Sequence, residues 1–381
     1  MALPALAESQ VGTSAHPDSA AAPDSSGRTE PVKPKLDFSG LVFGSYQLST
    51  DDASRDAAGG TPNKFDIGRV YLNFRMPAGD RFGVRVTTDI KQQDGSGGAY
   101  DGWIVRVKYA YLQYDVVESA DPNGLAALAR VGMLHNVLID HQQEFWPRYI
   151  GKVATETYDF FASSDLGVAA QIRLPNRWGE AYATLVNGGG YEHPESDRFK
   201  DVAARVSLTP LGSHDGWLRS FTISPWFYSG RSASRFASDP AAPITAGLDR
   251  ARYGVFAGVR DHALTLGAEW ARKVDDVESG STPLDRSVVH QVGELYSAFA
   301  IARPLEWRSG AGPSPFGVLF RWDQFAPDRD ADGKLRNFVG GVFIEPTGNT
   351  ALALDYQRVE PVDGLGGAAS ERWYVHWQVT F

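Results

Sequence analysis

Charged side chains at every second position of apolar segments are the residues of this sequence best suited to chemistry. From position 69 to 76, polar residues at odd positions alternate with apolar residues at even positions. A period of two places the two sets on opposite faces of a β-strand. If the apolar face meets lipid, a charge on that face would cost about 2–4 kcal/mol at the bilayer midplane. We therefore expect the charged set to line a water-filled interior. Its expected members are Arg69, Arg75, Arg85, Asp89, Arg173, Arg205, Arg321 and Asp323.

Catalytic and metal-binding motifs have little support. The eight histidines form no HExxH-type motif, and His135 and His141, six residues apart, lack a supporting carboxylate spacing. The run 328–333 (DRDADG) begins like a calcium loop, but its twelfth position is Val339 instead of glutamate. An acidic turn is the favoured interpretation, and weak calcium binding by its three aspartates stays open. Neither a G-x-S-x-G elbow nor a glycine-rich phosphate loop occurs. We expect no cofactor, no bound metal and no enzymatic activity.

Sixteen alternating segments follow one another from Leu36 to the last residue, and their connections differ in length. Most connections after even-numbered segments are short and turn-like, whereas most connections after odd-numbered segments are long and polar. This asymmetry is typical of an all-β transmembrane antiparallel β-barrel, here of about 16 strands over residues 36–381. A soluble propeller or sandwich gives no reason for it. The expected strands are 36–48, 65–76, 81–91, 103–117, 128–134, 166–174, 180–187, 200–209, 217–229, 250–260, 262–273, 290–303, 315–325, 335–345, 350–359 and 372–381.

Composition excludes several classes of protein. The 381 residues include no cysteine, which excludes a disulfide scaffold and thiolate metal sites. The formal charge of −9 gives no electrostatic support for a nucleic-acid partner. No run of 18 apolar residues occurs, so membrane-spanning helices are not expected.

The final strand, Trp373–Phe381, carries aromatic and aliphatic residues at odd positions and polar residues at even positions. Its two tryptophans and terminal phenylalanine suit a bilayer interface. The strand resembles the terminal strand of bacterial outer-membrane barrels, which ends in phenylalanine. That resemblance implies outer-membrane lipid as the surroundings and recognition of Phe381 by the barrel assembly machinery. The first strand is the expected partner that closes the sheet.

The N-terminal residues are expected to lie outside the barrel. Residues 1–7 look like the remnant of a signal peptide, which implies export across the inner membrane. Residues 8–35 are rich in Ala, Ser, Pro and Asp without periodicity, and are interpreted as a disordered leader.

The longest connection, residues 135–165, which we call the third loop, contains many aromatic and aliphatic residues. A solvated loop would avoid them, so we expect this loop to fold into the lumen and constrict it. The third loop contains two cationic side chains and five carboxylates. A ring of carboxylates favours cations, and the arginines of the wall would set up a transverse field. The expected constriction residues are Asp140, His141, Glu144, Arg148, Lys152, Glu156 and Asp159.

The stretches Glu144–Val168 and Val131–Asn136, together with the strand count, resemble the phosphate-selective porin O and P family. The resemblance implies an outer-membrane porin, commonly a homotrimer, that lets small polar or charged solutes and ions diffuse passively, anions such as phosphate included. The third loop departs from that family because it lacks a cluster of lysines. Two alternatives stay open: a barrel enzyme of the lipase or protease type, and a soluble β-rich binding protein.

Overall fold

The computed structural model describes residues 35–93, 102–121, 123–195, 197–240, 242–307 and 312–381. The predicted signal remnant, and the predicted leader up to residue 34, lie outside these residues.

The described chain folds into sixteen strands with a few short helices. The strands are β1 Asp37–Ser49, β2 Asn63–Pro77, β3 Phe82–Gln93, β4 Gly102–Val117, β5 Ala126–His135, β6 Ser164–Arg173, β7 Gly179–Val186, β8 Asp201–Leu208, β9 Thr222–Ser232, β10 Leu248–Arg260, β11 Leu264–Ser279, β12 Ser287–Ala302, β13 Phe316–Ala326, β14 Lys334–Thr347, β15 Thr350–Val362 and β16 Ser370–Thr380. The α-helices are α1 Asp52–Ala58, α2 Ile139–Gln143 and α3 Ala154–Thr157, and short 3-10 turns cover Pro175–Arg177, Trp217–Ser220 and Pro304–Trp307.

Each strand pairs antiparallel with the next, and β1 pairs with β16, so the sheet is a closed barrel. The register at closure places Leu41 opposite Thr380. Gly40 and Phe381 exchange two backbone hydrogen bonds of 2.7 and 3.0 Å. Closure gives each of the sixteen described strands a hydrogen-bonded neighbour on both sides, so none of them is an edge strand. The predicted number of strands and the predicted pairing of the first with the last are both confirmed.

The two faces of the barrel differ as the alternation predicted. Along β16, Trp373 and Val375 are about half exposed, while His376 and Gln378 are buried. The same pattern recurs round the ring, with apolar side chains outside and polar or aromatic side chains inside. None of the helices in the described residues is long and apolar enough to cross a membrane.

Two predicted boundaries lie furthest from those observed. The ninth strand begins at Thr222 because Trp217–Ser220 forms a 3-10 turn. The eleventh strand continues past Lys273 to Ser279, and β12 pairs with it along that extension. Connections 209–221 and 303–315 are long although they follow even-numbered strands. The other end of the barrel, which carries the third loop, is called the long-loop end below.

Candidate functional site

The predicted wall residues lie on the inner face at different heights. Arg69 (β2) and Asp89 (β3) form an ion pair of 3.2 Å towards the long-loop end. Arg75 lies towards the opposite end, 4.0 Å from the carboxylate of Asp37. Arg173 also lies there, as the last residue of β6. The remaining predicted charges, Arg85, Arg205, Arg321 and Asp323, are buried on the inner face.

Arg85 lies opposite Arg75 in the register of β2 and β3 and joins three strands. Its guanidinium donates to Thr87 Oγ1 and Asn73 Oδ1, both at 3.0 Å, and contacts His135 Nε2 at 3.1 Å. A guanidinium only donates hydrogen bonds, so His135 Nε2 must accept and the ring proton is on Nδ1. His135 Nδ1 lies 3.0 Å from Asp140 Oδ2 and donates this proton to it. Arg85 therefore fixes the base of the third loop through a neutral histidine.

Arg205 and Arg321 are buried beneath the third loop and hydrogen-bond to its backbone. Arg205 Nε donates to the carbonyl of Val137, and Arg321 Nη1 donates to the carbonyl of Lys152, each at 2.5 Å. Arg321 also forms an ion pair of 2.7 Å with Asp323, whose side chain is fully buried. Both arginines therefore position the third loop and also contribute positive charge to the inner wall.

Other wall residues anchor the loop in the same way, and alternation alone did not single them out. Arg252 donates to the carbonyl of Phe160. Lys273 donates to the carbonyl of Tyr158 at 3.1 Å, Arg260 to Glu144 at 2.7 Å and Gln357 to Ile150 at 3.1 Å. With Arg205 and Arg321, the donors come from β8, β10, β11, β13 and β15. Donors from so many strands meet carbonyls along most of the loop.

Aromatic side chains of the loop pack against aromatic side chains of the wall. Trp146, only 1% exposed, lies 5.4 Å from Phe299 on β12, and Arg321 lies 5.3 Å from its ring centre. Ring pairs of this kind contribute about 0.5–1.5 kcal/mol beyond burial of area. Further pairs of this kind include Phe145–Phe256, Tyr158–Phe325 and Phe161–Trp226.

Three charged side chains of the loop are held by neighbouring side chains. Asp140 accepts from His135 Nδ1 and from the hydroxyl of Tyr109 at 3.1 Å. Burial raises the pKa of Asp140, but His135, Lys108 and Arg85 outweigh that effect and lower it. Arg148 pairs with Glu156 at 3.2 Å within the loop. This pair takes one cation and one carboxylate out of the count, so the third loop keeps an excess of three carboxylates.

The other predicted loop residues have separate places. Lys152 and Glu144 supply backbone carbonyls to wall arginines. Asp159 has an exposed side chain and a positive φ of 56°. His141 Nε2 lies 2.9 Å from Ser224 Oγ on β9. Burial, with Arg205 and Arg260 nearby, holds the pKa of His141 well below its usual value of 6.5, so the ring is neutral at neutral pH.

Residues 187–200, which connect β7 to β8 and which we call the fourth loop, also reach the inner wall. Tyr191 donates to Asp89 at 2.9 Å. Glu192 pairs with Lys91 on β3 and with Arg106 on β4, the latter at 2.7 Å. Burial raises the pKa of Glu192, but these two cations lower it to about 2. Sequence reasoning missed this contact, whose one visible signal is the run GGGYE.

The histidines and acidic runs considered for metal binding do not come together. His135 and His141 face different partners, Asp140 and Ser224. In the acidic run, Asp330 N donates to Asp328 Oδ1 as in a turn. Within the described ranges no group of three or more His, Asp or Glu side chains could share a metal ion.

Several solved structures resemble this fold. No protein-family model and no curated protein sequence matches the chain. OmpF of Salmonella typhi, in complex with daunomycin, has a TM-score of 0.59 at 12% identity, over 91% of this chain and 98% of that one. An anion-selective porin from Comamonas acidovorans has a TM-score of 0.57 at 12% identity, over 92% and 100%. OprB of Pseudomonas putida has a TM-score of 0.59 at 8% identity, over 91% and 94%. The chain therefore has the closed sixteen-stranded barrel fold of bacterial outer-membrane porins.

Proposed function

We propose that the protein is an outer-membrane porin, a water-filled channel for passive diffusion of small polar or charged solutes and ions. The observation that carries this proposal is a closed sixteen-stranded ring with an apolar outer face and a charged inner face. A barrel of this size leaves room for an aqueous channel. Passive diffusion needs no catalytic group, so we do not expect enzymatic activity.

The outer face supports a position in lipid. Aromatic side chains near both ends of the strands, such as Trp373 and Phe316, are about half exposed, which suits the aromatic girdles of membrane barrels. Phe381, also exposed, extends β16 by pairing with Gly40. We propose that outer-membrane lipid surrounds the barrel and that the assembly machinery recognises this final strand.

Charges of both signs face the interior, and most are paired. The proposed pore-lining set is the wall set of the sequence analysis together with the third loop, which we infer folds into the lumen as the constriction. Paired charges screen solutes by polarity and select weakly between ions of opposite sign. The resemblance to phosphate-selective porins supports passage of anions, but the loop's lack of a lysine cluster argues against strict selectivity for phosphate.

We also propose a homotrimer. Register places Ala129, Ala170, Ala183 and Ala204 side by side on the outer face of β5 to β8. This row of small side chains would let a second copy approach closely, as small residues do between membrane helices. Ultracentrifugation of the detergent-solubilised protein would measure the assembly.

Planar-bilayer recording tests the channel. The purified protein should give stepwise ion conductance, and a folded barrel without current steps would refute the proposal. Reversal potential across a salt gradient then measures ion preference. Replacing Arg69 by Gln should shift it towards cations, because Asp89 keeps its charge. Replacing Arg55, on the exposed helix α1, is the matched control. Equal values for the two variants would contradict the assignment of Arg69 to the pore.

One contact favours the enzyme alternative. Ser224 and His141 are within hydrogen-bond distance, as a nucleophile and its base would be. However, Ser224 is fully buried, and the charges acting on His141 are the cations Arg205 and Arg260, which disfavour its protonated form. If the protein hydrolysed an ester or peptide and Ser224→Ala abolished that activity, the enzyme reading would replace the porin.

A further inference from the structure

A cavity of about 260 Å³ lies between the end of the third loop and the inner face of β7 to β10. Its walls combine apolar surface from Phe161 and Val186 with polar groups from Ser164 and Arg250. A volume of this size holds a small organic solute. The channel proposed above does not by itself require such a cavity.

Two buried hydrogen-bond donors, in residues that line the cavity, have no partner within the described chain. Ser164 Oγ is buried, in a residue only 1% exposed, and no hydrogen bond satisfies it. The Nε of Arg250 is likewise buried without a hydrogen-bond partner, while its Nη2 donates to Asp201 Oδ2 at 2.9 Å. A buried donor without an acceptor costs roughly 1–3 kcal/mol, so an acceptor group in the cavity would be favoured.

Negative charge lines another part of the same cavity. The exposed carboxylate of Asp159 is held at a position of positive φ. Asp165 also lines the cavity, but its oxygens accept from the backbone N–H groups of Leu166, Gly188 and Gly190. Asp159 is thus the carboxylate with room for a ligand donor.

A ligand that carries only one charge would meet residues of the same charge sign in the cavity wall. A simple anion would face Asp159 and Asp165, and a simple cation would face Arg250 and Arg252. A solute with both an ammonium and a carboxylate group satisfies both sides, while Phe161 and Val186 accommodate an apolar side chain.

We propose that this cavity is a binding site for a small zwitterion of the α-amino acid type. Its carboxylate accepts from Ser164 and Arg250, and its ammonium faces Asp159. The inference rests on the proposed channel, because the site would lie on the route of the solute through the pore.

Calorimetric titration of the detergent-solubilised barrel tests the site independently of conduction. The probes are L-leucine, 4-methylpentanoate, which lacks the ammonium group, 3-methylbutylamine, which lacks the carboxylate, and D-glucose. The wild-type protein should bind L-leucine at least about tenfold more tightly than each of the other three, because each lacks one or both charges. Equal binding of a singly charged probe, tighter binding of glucose, or no binding of leucine would overturn the proposal.

Two mild variants separate the roles of the two sides. Ser164→Ala removes an unsatisfied hydroxyl and should weaken leucine and 4-methylpentanoate roughly tenfold, without affecting the amine. Asp159→Asn should weaken leucine and the amine but not 4-methylpentanoate, and asparagine tolerates the positive φ. Asp363→Asn is the matched control, because Asp363 also has a φ of 55° and lies in the connection between β15 and β16. If Asp363→Asn weakens leucine as much as Asp159→Asn, the site is wrong.

Bilayer conductance of the same preparations separates this inference from the proposed function. Current steps without leucine binding would refute the zwitterion site and leave the channel in place. Leucine binding that responds to both variants, without current steps, would support the site and refute the channel.

Discussion

The third and fourth loops both reach the inner wall, but different interactions hold them. The third loop is bound through its backbone carbonyls and buried aromatic rings, by donors on five strands. The fourth loop is bound through the side chains of Tyr191 and Glu192, to β3 and β4. Exposed ion pairs are weak and are screened by salt, whereas buried rings and backbone bonds are not. The third loop should therefore stay bound to the inner wall permanently, whereas the fourth loop should be able to detach from it.

Glycine strengthens this contrast. Gly188 and Gly190, at the base of the fourth loop, have φ values of 96° and 73°, which other residues adopt only with strain. Their N–H groups bond to Asp165, so the base is fixed while the tip depends on Glu192. Detachment would need to break only the contacts at the tip.

The largest effect is expected from Trp146→Ala in the third loop. Removing a fully buried tryptophan from its contacts with Phe299 and Arg321 should cost about 3–5 kcal/mol. The loop should loosen, so single-channel conductance should rise and current noise should increase. Trp178→Ala is the control, because Trp178 is 51% exposed. Unchanged conductance in a folded Trp146→Ala barrel would show that the third loop does not constrict the pore.

Arg321→Met should have the next largest effect. It removes the donor to the carbonyl of Lys152 and leaves the buried carboxylate of Asp323 without its cation. Breaking a buried pair in this way costs about 3–5 kcal/mol. Thermal unfolding in detergent would measure the loss. Adding Asp323→Asn should recover part of it, since Ser297 and Asn337 can still bond to a neutral side chain. If the double variant were less stable than the single one, the ion pair would not be the cause.

The features that repeat along the chain could be predicted from the sequence. Alternation in β2, β3, β13 and β16 identified the two faces, because a period of two requires no knowledge of distant residues. The bulge between Thr87 and Thr88 was not predictable in this way. Across from it on β4, the adjacent residues Lys108 and Tyr109 are both buried, against strict alternation.

Contacts between distant segments could not be predicted from one sequence. Glu192 meets Lys91 about a hundred residues away, and this contact depends on closure of the barrel and on the path of the fourth loop. Similarly, the third loop could be expected to sit inside the barrel because of its aromatic residues. Its bonds to Arg252 and Lys273 depend on register, which alternation does not give.

A smaller effect is expected from Glu192→Gln in the fourth loop. The variant loses two ion pairs that are partly exposed, worth about 0.2–1 kcal/mol each. In bilayer recordings of this variant, brief fluctuations of the single-channel current should become more frequent, because the fourth loop detaches more often. The thermal stability of the barrel should stay nearly constant. High salt should produce the same change in the wild-type protein and little in the variant. Glu195→Gln is the control, because Glu195 pairs with Lys200 in the same loop. If both variants behave alike, contact with β3 and β4 does not hold the loop.

The smallest effect is expected from acid acting on the fourth loop. The pKa of Glu192, about 2 when docked, is below its usual 4.5 because Lys91 and Arg106 stabilise the carboxylate. Because docking lowers the pKa of Glu192, the ionised carboxylate stabilises the docked loop at every pH above its usual pKa of 4.5. That contribution is lost as the pH falls from about 4.5 towards 2. Current fluctuations in the wild-type protein should therefore be constant from pH 7 to 5 and increase below about 4.5. The Glu192→Gln variant should show no change across that lower window, because it has no carboxylate to protonate there. An equal increase in both proteins would assign the acid response to another group and leave the two loops alike in this respect.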